Sequence, residues 1–174
     1  MEHLAELIVA FGYIGVFLTI FAESGILLGF FLPGDSLLFT VGILASQGYF
    51  NIYLMIFLAI TAAIIGDTVG YYIGRIAGPK LFQRKESRFF KQEYVQKTED
   101  FYKKYGKRTI ILARFVPIVR TFAPVMAGVG KMDYKTFVSY NVIGGFIWAG
   151  GLLSISYYLG SRFAGIEDYL TYIV

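Results

Sequence analysis

The spacing of its charges constrains this chain more than any other feature. Three stretches hold no Asp, Glu, Lys or Arg: Leu7 to Ala22 (16 residues), Ser36 to Gly66 (31) and Thr136 to Ser161 (26). A bilayer core about 30 Å thick needs about 20 consecutive apolar residues, and 56% of this chain is hydrophobic against 16% charged. The expectation is an all-α integral membrane protein, one domain over residues 1–174. Runs of this length exclude secreted and cytosolic readings, and with no cysteine there is no disulfide framework and no thiolate nucleophile or metal site. Glu2 and Glu6 precede the first apolar run, and no Lys or Arg occurs before Arg75. A cleaved signal peptide wants a basic start, so this segment is expected to be retained as a membrane span.

The positive charge is concentrated. Arg75 to Arg108 carries eleven basic and four acidic residues, while the whole chain nets only +4. Basic loops stay on the cytoplasmic side, which orients the chain in a cytoplasmic (inner) cell membrane, multi-pass. Within residues 79–108, Phe82, Phe89, Phe90, Tyr94, Phe101, Tyr102 and Tyr105 recur at three- to four-residue spacing, predicting an amphipathic helix on the inner leaflet. Anionic lipid headgroups account for such a segment better than nucleic acid does, and no nucleic-acid partner is expected.

A duplication runs through the chain. Tyr71-Tyr-Ile-Gly-Arg-Ile-Ala-Gly78 returns as Tyr157-Tyr-Leu-Gly-Ser-Arg-Phe-Ala-Gly165, and Ala45-Ser-Gln-Gly48 with Asn51 returns as Ala127-Gly-Val-Gly130 with Asp133. Two copies of one unit are expected, over 7–78 and 109–165, with a tail at 166–174. Each copy has an interrupted apolar segment: 24–47, broken by Pro33-Gly34-Asp35, and 109–130, broken at Pro117 and Pro124. Proline removes a backbone donor and clashes one turn back. The arms Ser24 to Leu32 and Ser36 to Gln47 would rise roughly 13 and 18 Å, about half a bilayer each. Two opposed re-entrant helical hairpins, related by an inverted repeat, fit this pattern, since broken backbone at membrane depth must be buried in protein or line a cavity. A pair of kinked spanning helices is the alternative.

Five ionisable residues fall inside the apolar zones: Glu23, Asp35, Asp67, Arg114 and Arg120. Intramembrane charges are functional candidates by default. Glu23 and Asp35 flank the first break and Arg114 and Arg120 flank Pro117, so one hairpin is acidic and the other basic. On a straight helix each pair would point about 120° apart; only a broken backbone lets them converge. They either neutralise one another in a buried network that fixes the packing, or work: two arginines offer forked donors to a phosphate, and a carboxylate poised against a cation loads and releases a proton. Asp67 lies eight residues before Arg75, too far for helical pairing, and is expected to bind a neighbouring backbone group or a tyrosine hydroxyl in a structural or coupling role. Gly66, Gly70 and Gly74 are spaced for close helix approach. Trp148 is expected to be an interfacial anchor.

The only histidine is His3, and neither His-Glu-x-x-His nor Gly-x-Ser-x-Gly occurs. The chain is therefore not expected to be an enzyme, and no cofactor or metal is implied.

At these residues the chain resembles the DedA family of membrane proteins, which carry a VTT (SNARE-associated) domain. The matching motifs are Glu23-Ser-Gly, Leu32-Pro-Gly-Asp35, Gly66-Asp-x-x-Gly-Tyr-x-x-Gly-Arg75, Arg114-Phe-Val-Pro-Ile-Val-Arg-Thr-Phe-Ala-Pro-Val-Met-Ala-Gly128 and Gly145-x-x-Trp148. The resemblance implies a polytopic protein with two opposed re-entrant hairpins that serves membrane and cell-envelope homeostasis. It further implies a lipid flippase for undecaprenyl phosphate or phospholipid, coupled to protons or sodium ions. On this basis Arg114 and Arg120 bind the lipid phosphate and Glu23 and Asp35 couple the ion. A small-ion antiporter and a non-transporting scaffold remain open, as does self-association into a homo-oligomer.

Overall fold

The computed structural model describes residues 2–25, 33–82 and 92–162, which are helical apart from short turns. Eight α-helices follow in order among the described residues: α1 (Glu2–Gly25), α2 (Gly34–Ser46), α3 (Ile52–Phe82), α4 (Gln92–Tyr105), α5 (Thr109–Leu112), α6 (Pro117–Val129), α7 (Tyr134–Gly145) and α8 (Gly151–Arg162). A π-helical turn, Phe146–Gly150, joins α7 to α8 without a break. Residues 26–32 of the first broken segment, Phe89 and Phe90 of the basic segment, residues 163–165 of the second copy and the tail at 166–174 lie outside the described residues.

Among the described residues, two helices are long and apolar enough to cross a membrane: Ile52–Ala77, 26 residues, and Tyr134–Arg162, 29 residues. At 1.5 Å per residue they rise about 39 and 43 Å. Both begin at side-chain caps. Asn51 Oδ1 accepts the backbone N–H groups of Tyr53 and Leu54 at 3.0 and 3.1 Å, and Asp133 Oδ1 accepts that of Thr136 at 2.9 Å, satisfying donors that a helix start leaves open. The bond from Thr136 holds the Asp133 carboxyl below its usual range. The third charge-free run falls in α1, which lies along α3.

The turns into these two helices have the same design. After α2 the chain passes through Gly48 at φ 90, and after α6 through Lys131 at φ 51. Left-handed backbone costs a residue with a Cβ about 1–2 kcal/mol, so Gly48 is the easy solution and Lys131 the strained one.

The core lies where α1, α2, α3 and α8 meet, around Ile20, Leu38, Met55, Ala59 and Leu153. Large apolar side chains also face outward: Phe11, Ile14 and Leu18 on α1, Phe57, Ile65 and Ile76 on α3, and Phe146, Ile147 and Ile155 on α7–α8. Exposed apolar stripes on every long helix are what lipid, rather than water, allows. Gly66 meets α1 so closely that an added Cβ would stand 2.8 Å from the Phe21 carbonyl, which bears out the close-approach reading of the glycine run.

Two expectations change. Pro124 does not break the second segment; it sits inside α6, and its ring packs over Gly70 of α3, where no side chain competes. The break is at Val116, extended at φ −124, with Pro117 opening α6; proline suits that first position because its missing N–H would have no helical partner anyway. The aromatic face of α4 is not left wholly for lipid: Phe101 and Tyr102 pack on Ala113, Val119 and Ala123, and the Tyr102 hydroxyl donates to the Ala123 carbonyl at 2.8 Å. Burial pushes the Tyr102 phenol well above its ordinary pKa, so it stays a neutral donor.

Candidate functional site

The break before Pro117 sets the site. Arg114 lies in the 3-10 turn Ala113–Phe115 and Arg120 one turn into α6. With the backbone extended between them, both guanidinium groups approach the Trp148 ring, at 5.7 and 4.9 Å from its centre. Cation–π attraction at such distances strengthens where water is excluded, and Trp148, Arg114 and Arg120 are all buried. Trp148 is therefore not an interfacial anchor. The π turn carries it inward, because an extra residue per turn re-aims the side chains that follow.

Arg120 holds both acids of the first broken segment. Its Nη2 donates to Glu23 Oε1, at the end of α1, and its Nη1 donates to both oxygens of Asp35, in the first turn of α2, at 3.1 and 3.3 Å. Trp148 Nε1 donates to Asp35 Oδ1 at 2.7 Å. The two acids differ sharply in exposure: the Glu23 side chain is 2% exposed and that of Asp35 53%. Gly34 lets Glu23 in, since a Cβ there would overlap the carboxylate.

Arg114 does not join this group through a carboxylate. Its Nη2 donates to Asp67 Oδ2 at 2.6 Å and to Asn141 Oδ1 at 2.5 Å, with the side chains of Arg114 and Asp67 2% and 5% exposed. Asn141 in turn donates to the Ile64 carbonyl at 3.1 Å, which orients its oxygen toward the arginine. Asp67 thus binds an arginine 47 positions away, not a backbone group or a tyrosine; from α3 it reaches the turn Ala113–Phe115, a relation that no local spacing encodes. Arg75 stands apart, donating to the Tyr71 hydroxyl and the Met132 carbonyl.

Arg114 and Asp35 line a pocket of about 300 Å³ with Pro117, Ile147, Trp148 and Leu152. Among the described residues, Arg114 Nε and Nη1 and Arg120 Nε are buried donors without a hydrogen-bond partner. Buried donors are normally satisfied, so this cluster has capacity for an acceptor. Among the described residues no group of three or more His, Asp or Glu is placed to hold a metal ion. Asn141 and the inward role of Trp148 are what sequence reasoning missed; the Gly144-Gly145 step beside them, where a Cβ at 144 would crowd Arg114, is the one local signal pointing to them.

Comparison with known proteins agrees with this frame. A family model for the VTT domain matches residues 32–164. Protein DedA of Escherichia coli strain K12 is 49% identical over 164 residues, covering 91% of this chain and 75% of its own. The chain is a DedA-family membrane protein. An uncharacterised membrane protein of Mycobacterium leprae is 46% identical over 82% of this chain and 64% of its own, and the uncharacterised membrane protein YbfM of Bacillus subtilis 32% identical over 92% of this chain and 98% of its own. No solved structure matches. Arg114, Arg120, Asp35, Asp67 and Trp148, which the structure brings together, all fall within the DedA-family match.

Proposed function

We infer that this DedA-family protein is a transporter rather than an enzyme, a lipid-phosphate translocase of the cytoplasmic membrane coupled to a proton or sodium gradient. The observation that carries the reading is the shared Arg120: it is held at once by a buried acid and by an acid open to the pocket, beside three unspent guanidinium donors. A phosphate entering at Asp35 competes with that carboxylate for Arg120, and a proton taken by Asp35 releases the arginine to it. The prenyl or acyl tail stays in lipid. Undecaprenyl phosphate and phospholipids both offer the required group.

Alternating exposure of the site needs two moving halves, and the helix crossings support an inverted repeat. Gly74 of α3 packs on Val125 of α6, and Gly160 of α8 packs on Ile43 and Ser46 of α2. On the facing helices, Gly128 meets Tyr71 and Arg75, and Gly42 meets Leu153 and Ser156. Gly74 and Gly160 stand 86 positions apart, as do Gly42 and Gly128. Each copy's inner helix thus packs on the long span of the other copy, the exchange expected of opposed re-entrant hairpins that rock against one another.

The test is flipping of a fluorescent short-chain polyprenyl phosphate in proteoliposomes under an imposed pH gradient. Arg120→Lys keeps the charge but loses the fork, and its rate falls at least tenfold; an unchanged rate removes the headgroup role. Because both Arg120 Nη groups are already taken by carboxylates, proton or sodium exchange alone is the second reading. Its signature is gradient-driven proton movement in vesicles that contain neither phospholipid nor prenyl phosphate.

A further inference from the structure

Away from Trp148 the molecule has a second polar basin. It measures about 530 Å³ and is lined by Tyr71, Tyr72, Arg75, Lys131, Asp133 and Tyr134, where the far end of α3 meets the α6–α7 turn. Its floor is rigid. The Tyr71 hydroxyl donates to the Met132 carbonyl at 2.6 Å, Arg75 Nη1 donates to the same hydroxyl at 2.5 Å, and Tyr71 stacks on Phe137 at 4.7 Å between centres. Tyr134 closes in on both Tyr71 and Tyr72 at 5.5 Å. Gly128, packed on the Tyr71 and Arg75 backbone, holds the turn against α3.

The charges are what single the basin out. Arg114 and Arg120 are both paired with carboxylates, whereas among the described residues neither Arg75 nor Lys131 is. Asp133 is committed to α7 through Thr136 N and Oγ1, and one carboxylate against two cations leaves the basin net positive. Lys131 occupies the left-handed position closing α6, a place that favours glycine and that glycine does occupy after α2, at Gly48. Just beyond the basin, Tyr72, Ile73 and Ile76 are exposed on the lipid-facing side of α3. A cationic, tyrosine-walled cup opening beside apolar surface matches an amphiphile whose head is anionic, and the basic segment that follows α3 puts this end at the cytoplasmic leaflet.

We propose that Arg75, Lys131 and the hydroxyls of Tyr72 and Tyr134 form a binding site for the phosphate of an anionic phospholipid headgroup, separate from the Arg120 cluster. Arg75, pre-oriented by Tyr71 and Met132, supplies forked donors; Lys131 supplies a mobile point charge; the exposed face of α3 takes the tail.

Titration of the purified protein in uncharged maltoside with dihexanoylphosphatidylglycerol, dihexanoylphosphatidylcholine and inorganic phosphate tests this by calorimetry. Phosphatidylglycerol binds the wild type and phosphatidylcholine binds far more weakly. Lys131→Gly reduces phosphatidylglycerol affinity about tenfold, the loss of one charge-assisted contact, yet melts no lower than wild type because glycine relieves the backbone at 131. Arg75→Gln reduces affinity at least as much, and Arg162→Gln, at an exposed arginine at the other end of the α7–α8 span, leaves it intact. The basic segment contributes a background common to all variants. Unchanged affinity in Lys131→Gly, or an equal loss of affinity in Arg162→Gln, overturns the site; inorganic phosphate binding as tightly as the lipid overturns the headgroup assignment.

Discussion

Arg114 and Arg120 are the same residue type six positions apart, both buried and both beside Trp148, yet their surroundings differ in kind. Arg114 is closed in: its acid, Asp67, is buried, its amide partner Asn141 is fixed by a backbone carbonyl, and it ties the turn Ala113–Phe115 to α3 and α7. Arg120 is half open, because one of its two acids is exposed at the pocket. A charge pair sealed from water is hard to rearrange, since separating it leaves an unpaired buried ion. Asp35, half exposed, is solvated when it leaves Arg120, and Glu23 keeps the buried guanidinium paired meanwhile. The sealed surroundings suit Arg114 to anchoring, and under the proposed function the half-open ones suit Arg120 to switching, although a sequence treats the two alike.

The sharpest way to break this comparison is to remove the Arg114 partner. Asp67→Leu strands a buried guanidinium and lowers stability by about 3–5 kcal/mol, read as loss of the folded, monodisperse protein in detergent; Asp67→Leu with Arg114→Met recovers much of that stability. A fold that tolerates Asp67→Leu with little change would show that Arg114 is not an anchor. Trp148→Phe is gentler and sharpens the other side. It deletes the indole donor to Asp35 and leaves a smaller ring beside the two guanidinium groups, costs about 1–2 kcal/mol of stability, and, under the proposed function, alters the flipping rate because Asp35 is freer to leave Arg120. The smallest effect belongs to Asp133, outside both charge groups. Asp133→Ala lowers the melting temperature slightly at pH 7. Since the folded-state pKa of Asp133 lies below its ordinary value, the cap's contribution is present above about pH 4 and fades as pH falls through the depressed value. The wild-type and variant melting curves therefore converge in acid.

Much of the architecture was legible beforehand. The charge-free runs locate α1, α3 and α7–α8, because no other arrangement buries so many apolar residues in sequence. Pro117 and the Pro33-Gly34-Asp35 step mark where helices begin, since proline and glycine act on backbone geometry directly. Pro124 misled because a proline inside a helix forfeits one backbone hydrogen bond without having to end the helix, and its ring finds room over Gly70 of α3. Asp67 and Trp148 were misplaced for a related reason: local spacing shows what a residue cannot reach along its own helix, not which distant side chain it meets.

The sequence by itself determined that this chain lives in a membrane, that its internal charges gather at broken segments, and that one end is basic; these follow from transfer cost and backbone stereochemistry, which act residue by residue. Only the tertiary structure decided which acid meets which arginine, that Trp148 turns inward through a π turn, and that Arg75 and Lys131 share a basin. Those outcomes depend on contacts between residues up to 113 positions apart, and burial, which gives each charge its strength, exists only once the helices have packed.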